Sequence, residues 1–253
     1  YFVGGDKDDW GWGGGLLVEL HGSLRLSNCI IRNNSSDRDG GGMCFAGGED
    51  SYIGITDCTI TGNSTAISGG GCSCDSGEPI IKNCILWGNT AASGSQIYVY
   101  WRRLKISHSD IQDGQAGITI GPSGAMDYGP GNIETDPCFV NPDANDFHLL
   151  GASTCINNGD PNFFTTCGTT DIDGEPAILY GRIDIGADEF RSIDGDFEPD
   201  GDVDLTDLRI LTNSLLNTCN QPYWCGSIDI DRSGSVDMVD FALMAKNWLA
   251  VVE

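Results

Sequence analysis

Two stretches near the C-terminus carry oxygen-bearing side chains at intervals that suit a metal ion. One, DFEPDGDVDLTD, starts at Asp196; the other, DIDRSGSVDMVD, starts at Asp229, an offset of 33 residues. A hard divalent cation such as calcium takes about six to eight oxygen ligands, and a twelve-residue loop with donors at positions 1, 3, 5, 9 and 12 converges them. In the first copy those positions hold Asp196, Glu198, Asp200, Asp204 and Asp207. In the second they hold Asp229, Asp231, Ser233, Asp237 and Asp240. Position 7 lends its backbone carbonyl, so its side chain varies, Asp202 in one copy and Ser235 in the other. Position 6 must turn sharply and is glycine in both, Gly201 and Gly234. The offset continues past the loops, taking Val203 to Val236, Leu208 to Phe241, Leu211 to Met244 and Leu215 to Trp248. A merely acidic, solvated loop would not reproduce the glycine, the β-branched position 8 and the common register together. Two calcium ions are expected, one per loop.

Two features depart from the ordinary EF-hand. Position 12 is Asp207 or Asp240 in place of the longer Glu, and no good helix precedes either loop. Both departures resemble the type I dockerin, a small module of two calcium-loop–helix units that docks onto a partner domain. The resemblance covers about residues 194–250, within a C-terminal unit taken as 194–253. It implies a cohesin-like domain as partner and carries the six residues named in each loop, twelve in all, over as ligands. Glu198 and Ser233 differ from the Asp or Asn usual at their positions. The coupling face is expected on Leu208, Leu211, Leu215, Phe241, Met244 and Trp248, less whatever the helix pair buries.

The formal net charge is −24 and the pI about 4.1. Such a chain repels nucleic acid and anionic membranes, which argues against either as a partner. Eleven of its acidic residues fall between residues 194 and 240, where bound calcium would neutralise part of the cluster. Eleven cysteines suit an oxidising compartment. No apolar run of eighteen residues exists to span a membrane. The chain opens inside what reads as repeat sequence, without a signal-peptide pattern. The expectation is a piece of a longer secreted or cell-surface protein, with further coils before Tyr1.

The elements that carry this tail are legible as a repeat. GGGLLVE at Gly13, GGGMCFA at Gly40, GGGCSCD at Gly69 and the weaker SGSQIYV at Ser93 align. Each is followed by a second segment: LRLSNCIIRNN, YIGITDCTITGN, PIIKNCILWGN and LKISHSDIQDG. Cys29, Cys58, Cys84 and Ser109 anchor the four copies, at spacings of 29, 26 and 25 residues. Apolar residues alternate within each copy, matching Leu24, Leu26 and Ile31 to Ile53, Ile55 and Ile60, then Ile81 and Leu86, then Leu104, Ile106 and Ile111. Period two means strand, and a repeat of this length with glycine-rich corners means a right-handed parallel β-helix over residues 1–129. An antiparallel sandwich also has short strands, but it does not predict like residues at like positions in consecutive copies. Asn33, Asn63 and Asn89 fit coil-end turns with left-handed backbone. The fold class is therefore mainly β, followed by a small α-helical calcium-binding domain.

Residues 130–190 are irregular and acidic. The phrases DPCFVNP, DFHL, DIDGEP and DIGADEF resemble the choice-of-anchor Q region of secreted bacterial β-helix proteins. That resemblance implies a cap closing the end of the β-helix. The combination of helix, cap and tail looks like surface proteins of planctomycetes and related bacteria.

The remaining cysteines and aromatics have plainer readings. Cys219 and Cys225 flank the turn between the calcium units and are expected to pair; Cys155 with Cys167, or Cys138, are further candidates. Cys29, Cys58 and Cys84 read as a buried thiol ladder, and Cys72 and Cys74 as core replacements for Leu16/Val18 and Met43/Phe45. His21, His108 and His148 are scattered, with no metal-ligand spacing among them. Trp10, Trp12, Tyr98, Tyr100 and Trp101 suit either stacking on a surface glycan or covering the β-helix flank. A catalytic site would need two carboxylates about 5–9.5 Å apart for glycoside hydrolysis. Asp57, Asp75, Asp110 and Asp113 are the candidates for that pair. A lyase would need a base beside a cationic group, for which Arg102, Arg103 and Lys105 are the basic cluster. Neither set forms a recognisable signature. The sequence reading is a non-catalytic extracellular structural and interaction protein, joined by its tail to a cohesin-like partner or head to tail to the next subunit of a filament. The alternative is a β-helix polysaccharide lyase or glycoside hydrolase targeted by a dockerin.

Overall fold

The computed structural model describes residues 2–3, 12–19, 23–46, 52–163, 170–174, 177–178, 182–190, 193–197, 202–219, 225, 228–231 and 233–250. After a short strand β1 (Phe2–Val3), the chain winds as successive coils. The first coil is β2 (Leu16–Glu19), β3 (Leu24–Arg32) and β4 (Ser35–Ser36), and the second is β5 (Met43–Ala46), β6 (Tyr52–Thr61) and β7 (Ser64–Thr65). The third is β8 (Cys72–Cys74), β9 (Glu78–Lys82) and β10 (Ile85–Trp87). The fourth is β11 (Ile97–Val99), β12 (Arg103–Ser107) and β13 (Asp110–Ile111), followed by β14 (Ile118–Ile120) and β15 (Ala125–Tyr128). All pairings between coils are parallel, and the winding is a right-handed solenoid, as the repeat predicts.

The inward ladders have the register read from the sequence. Leu26, Ile55, Ile81 and Ile106 stack in line, as do Ile31, Ile60, Leu86 and Ile111. Leu16, Met43, Cys72, Ile97 and Ile118 line the second sheet, with Val18, Phe45, Cys74, Val99 and Ile120 beside them. Cys72 and Cys74 are buried in this core, as expected of residues that replace aliphatic ones. Cys29 pairs with Cys58 in register, and Cys84 N donates to Ser109 Oγ at 3.2 Å, so the anchors form one column.

Of the three coil-end asparagines, Asn33 takes the left-handed turn expected of it, while Asn63 and Asn89 belong to a buried ladder. Asn34, not Asn33, stacks with Asn63 and Asn89: Asn34 Nδ2 donates to Asn63 Oδ1 at 2.9 Å, and Asn63 Nδ2 to Asn89 Oδ1 at 3.0 Å. The left-handed backbone falls on the residue before each, Asn33 (φ 55°), Gly62 (φ 64°) and Gly88 (φ 68°). A second left-handed column, Asn28, Asp57, Asn83 and His108, sits just before the anchors. Short polar side chains tolerate this conformation, which turns the strand at a corner.

The segment read as an end cap lies along the flank of the solenoid. Strands β16 (Phe139–Asn141) and β17 (Asp146–Leu149) form an antiparallel hairpin. Phe147 and Ala187 cover Ile30, while Leu149, Cys155, Ile185 and Phe190 cover Ile85. Ile30, Thr59, Ile85 and Asp110 are one outward ladder of the larger sheet. Ala187 N donates to Thr59 Oγ1 at 3.1 Å, Gly186 N to Asn83 O at 3.0 Å and Asp160 N to Asn83 Oδ1 at 2.8 Å. The approach is close because Gly186 (φ 119°) lacks a Cβ, which would lie 2.7 Å from Ile85 Cδ1. Ile30 and Ile85 put apolar side chains on an outward ladder where a solvated sheet face would be polar, so this flank requires a cover.

Burying that interface perturbs its acids. Desolvation foremost holds Asp57, Asp110 and Asp188 up at about 6 and Asp184 at about 7. A carboxyl raised above its unfolded value of about 3.9 contributes stability below that pH and loses it as pH rises through the folded value. The solenoid is therefore expected to melt at a higher temperature at pH 5 than at pH 8, as followed by its β-sheet circular dichroism. A melting temperature that rises from pH 5 to pH 8 would contradict the burial argument.

Candidate metal centre

Each loop of the tail ends at a capped helix. Helix α1 (Leu205–Ser214) has Asp204 as N-cap, accepting from Thr206 N at 2.6 Å, and α2 (Met238–Lys246) has Asp237, accepting from Val239 N at 2.7 Å. Asp207 and Asp240 complete reciprocal capping boxes. These position-12 carboxylates also close the loops. Asp207 Oδ2 accepts from Asp204 N (2.8 Å) and its Oδ1 from Phe197 N (2.5 Å). Asp240 Oδ2 accepts from Asp237 N (2.8 Å) and its Oδ1 from Ile230 N (2.7 Å). Both side chains are fully buried. A carboxylate has about four lone-pair sites, so the oxygens so held keep acceptor capacity for a cation. The shorter Asp is thus placed in each loop by two backbone bonds that repeat at the 33-residue offset.

The structure brings together Asp202, Asp204 and Asp207 in the first loop and Asp229, Asp231 and Asp240 in the second, with ligand oxygens in each trio within 4.8 Å of one another. Asp229 is buried and accepts from Ser233 N (3.0 Å) and Gly234 N (2.9 Å), which folds the second loop around it. Asp196 is buried at the start of the first loop, outside the trio. Ser233 Oγ donates to Ser235 O at 3.2 Å, and Asp237 serves as the helix cap. Glu198, Asp200 and Gly201 lie outside the described residues. The donors are all oxygen and mostly anionic, which fits a hard cation such as calcium and not a thiolate- or imidazole-preferring one.

The two units clasp each other, a feature the loop pattern does not reveal. Leu216 N donates to Val236 O (2.8 Å) and Val236 N to Asn217 O (3.0 Å). At the matching positions, Leu249 N donates to Val203 O (2.9 Å) and Val203 N to Ala250 O (3.1 Å). Each loop is thereby pinned by the chain leaving the opposite helix. Val203, Leu211, Val236 and Met244 fill the core between them. Leu211 and Met244 are therefore removed from the expected coupling face, and Leu208, Leu215 and Phe241 pack against the same core. Trp248 of the expected face stays exposed, and further exposed apolar side chains occur in offset-related pairs, Leu205 (70%) with Met238 (65%) and Leu216 (87%) with Leu249 (72%). The signal that could have found them was there: apolar residues at position 10 of both loops and just past both helices.

Cys219 and Cys225 form the expected disulfide across the inter-helix turn. Opening a loop this short is expected to cost about 2 kcal/mol. The Cys219→Ser/Cys225→Ser variant should melt its helices several degrees earlier at saturating calcium, as read at 222 nm. Cys155 is a buried free thiol donating to Asp110 Oδ2 at 3.3 Å, and Cys138 is also free; Cys167 lies outside the described residues.

Residues 9–158, more than half of the chain, match the family model for the right handed beta helix region. The chain belongs to the right-handed beta helix family. Residues 194–249 of this β-helix protein match the dockerin type I domain, a domain type that binds calcium. No curated protein and no solved structure matches it. Both of its domain types are typical of extracellular proteins, and among the described residues no helix is long and apolar enough to cross a membrane.

Proposed function

We propose that this β-helix protein is a non-catalytic extracellular module whose solenoid is a rigid shaft and whose tail, ordered by two calcium ions, couples it to a cohesin-like domain. The observation that carries this reading is the duplicated clasp: two acidic loops, each closed by a buried position-12 aspartate and pinned by the other unit. Without cation, the buried carboxylates of Asp196, Asp207, Asp229 and Asp240 face one another's charge at high cost. With it, both helices are set and the offset-related pairs Leu205/Met238 and Leu216/Leu249 are presented as apolar anchors.

The carboxylates that sequence offered for catalysis support the same reading. Asp57 and Asp110 are buried beneath the flank segment, where Asn83 Nδ2 donates to Asp57 Oδ1 (2.9 Å) and Cys155 Sγ to Asp110 Oδ2. Neither can touch a polymer without that segment lifting. Asp75 is held by Ser73 Oγ at 3.2 Å on a different sheet, and Asp113 is exposed at a left-handed corner.

Biolayer interferometry against a panel of cohesin-like domains tests the coupling. Binding is expected in calcium and not in EGTA, and weakened at least about tenfold when Leu205→Ser and Met238→Ser are combined. Calcium-dependent polymers of the chain alone, seen by light scattering, would replace the cohesin partner with head-to-tail self-association. Release of reducing ends or unsaturated uronates from a glycan panel would overturn the non-catalytic reading.

A further inference from the structure

The flank segment gathers a second set of ligand atoms, outside the calcium loops. Strand β17 supplies His148, the turn after Asp171 supplies Asp173, and the stretch 182–190 supplies Asp188. One ligand atom from each lies within 4.8 Å of the other two. His148 Nε2 is 2.9 Å from Asp173 Oδ2, while its Nδ1 faces Asp146 Oδ1. A carboxylate on one ring nitrogen fixes the tautomer and aims the other nitrogen as a donor, the arrangement that supports metal-bound imidazoles.

Asp188 supplies an independent sign. It is only 7% exposed, and its Oδ2 accepts from Leu149 N at 2.8 Å. Among the described residues no hydrogen-bond donor reaches its Oδ1. Burial, with Asp171 and Asp173 adding to it, raises its proton affinity. With Oδ2 held by the backbone, Oδ1 is left to solvent or to a cation, and the acid Asp173 in the same trio favours a cation. The site is open on one side, since His148 and Asp173 are about half exposed there.

We propose that His148, Asp173 and Asp188 bind a single divalent cation of the zinc class. One imidazole nitrogen and two carboxylate oxygens suit zinc, which takes such ligands at about 2.0–2.2 Å with a fourth position left for water. They do not suit calcium, which needs about six to eight oxygens. The cation ties together three pieces of chain that cover the solenoid flank, so it acts as a staple there. Asp146 is a positioning residue that holds the imidazole. The protein thus carries two metal chemistries, oxygen-only loops in the tail and a mixed nitrogen–oxygen site on the flank.

The test is a calorimetric titration of Zn²⁺ into the untagged full chain, stripped of transition metals and saturated with calcium. One zinc per chain is expected, with a dissociation constant in the micromolar range or below. Co²⁺ in its place is expected to give the visible absorption of a four-coordinate site. His148→Ala should weaken zinc at least about tenfold and abolish the cobalt spectrum, and Asp188→Asn should do the same. His108→Ala should change neither, and the calcium stoichiometry should be the same in every variant. Circular dichroism in calcium without zinc shows whether each variant is folded, and the half-exposed His148 makes its variant the safer one. Absence of binding at about 100 μM zinc, or equal affinity in wild type and His148→Ala, overturns the site.

Discussion

Removing calcium with EGTA is expected to unfold α1 and α2 while leaving the solenoid's β-sheet signal in place. Among the described residues the tail's buried apolar core is small, Val203, Leu211, Cys219, Val236 and Met244, with partly buried residues such as Phe197, Leu208 and Phe241 packed against it. Against that stand four buried aspartates, Asp196, Asp207, Asp229 and Asp240, whose desolvation a core of this size does not offset. A ligand that binds only the folded state stabilises it by RT ln(1 + [L]/Kd), about 4 kcal/mol per site at a thousand times Kd. Two sites therefore supply about 8 kcal/mol, comparable with the whole stability of a small domain. Asp207→Ala and Asp240→Ala should each mimic the loss of one site, because each also removes a loop closure and half of a capping box. Loss of the 222 nm signal in EGTA and its recovery on adding calcium check the effect. Helices that persist in EGTA at unchanged melting temperature would show that the tail folds without its ions.

Asn63→Leu is expected to be the most damaging single change in the solenoid. Asn63 accepts from Asn34 N and Asn34 Nδ2, and its Nδ2 donates to Ile31 O and Asn89 Oδ1. All four bonds are buried. Leucine has similar bulk but no polar atoms, so these four buried bonds are lost at once, while Asn89 Oδ1 still accepts from Asn63 N. At about 1–3 kcal/mol for each buried group left unmade, the loss is about 4 kcal/mol or more. The ladder is also continuous, through Asn89 Nδ2 to Gln96 Oε1 at 2.8 Å, so the damage spreads to neighbouring coils. Urea titration of the wild type and variant in calcium reads the difference. Replacing the exposed Asn33 by Ala should cost far less, which separates the buried ladder from the corner beside it.

The solenoid was legible because its inward positions repeat side-chain type, so Leu26, Ile55, Ile81 and Ile106 announce their own register. The calcium loops were legible for a related reason: ligand geometry fixes residue type at fixed intervals. Asn33 was read correctly as a corner, but the corners at Gly62 and Gly88 were placed one residue late, at Asn63 and Asn89, because asparagine serves two roles here. Asn33 takes the left-handed turn and Asn34 takes the buried ladder, and only packing tells them apart. The position of 130–190 along the flank was hidden because its cues are outward residues, Ile30 and Ile85, which alternation counts as solvent-facing. His148 was set aside as a scattered histidine since its partners Asp173 and Asp188 are joined to it only by the fold. The sequence left open which of the expected coupling residues the helix pair would bury, because a helix stripe cannot say; Leu211 and Met244 went inward, while Trp248 stayed out along with Leu216 and Leu249.

The most direct test of a calcium-ordered coupler is a calorimetric calcium titration of the stripped full chain, with far-ultraviolet circular dichroism recorded at each step. Two calcium ions per chain are predicted, with helix signal rising in proportion as they bind. A stoichiometry of zero, or binding that leaves the helix signal unchanged, would contradict it.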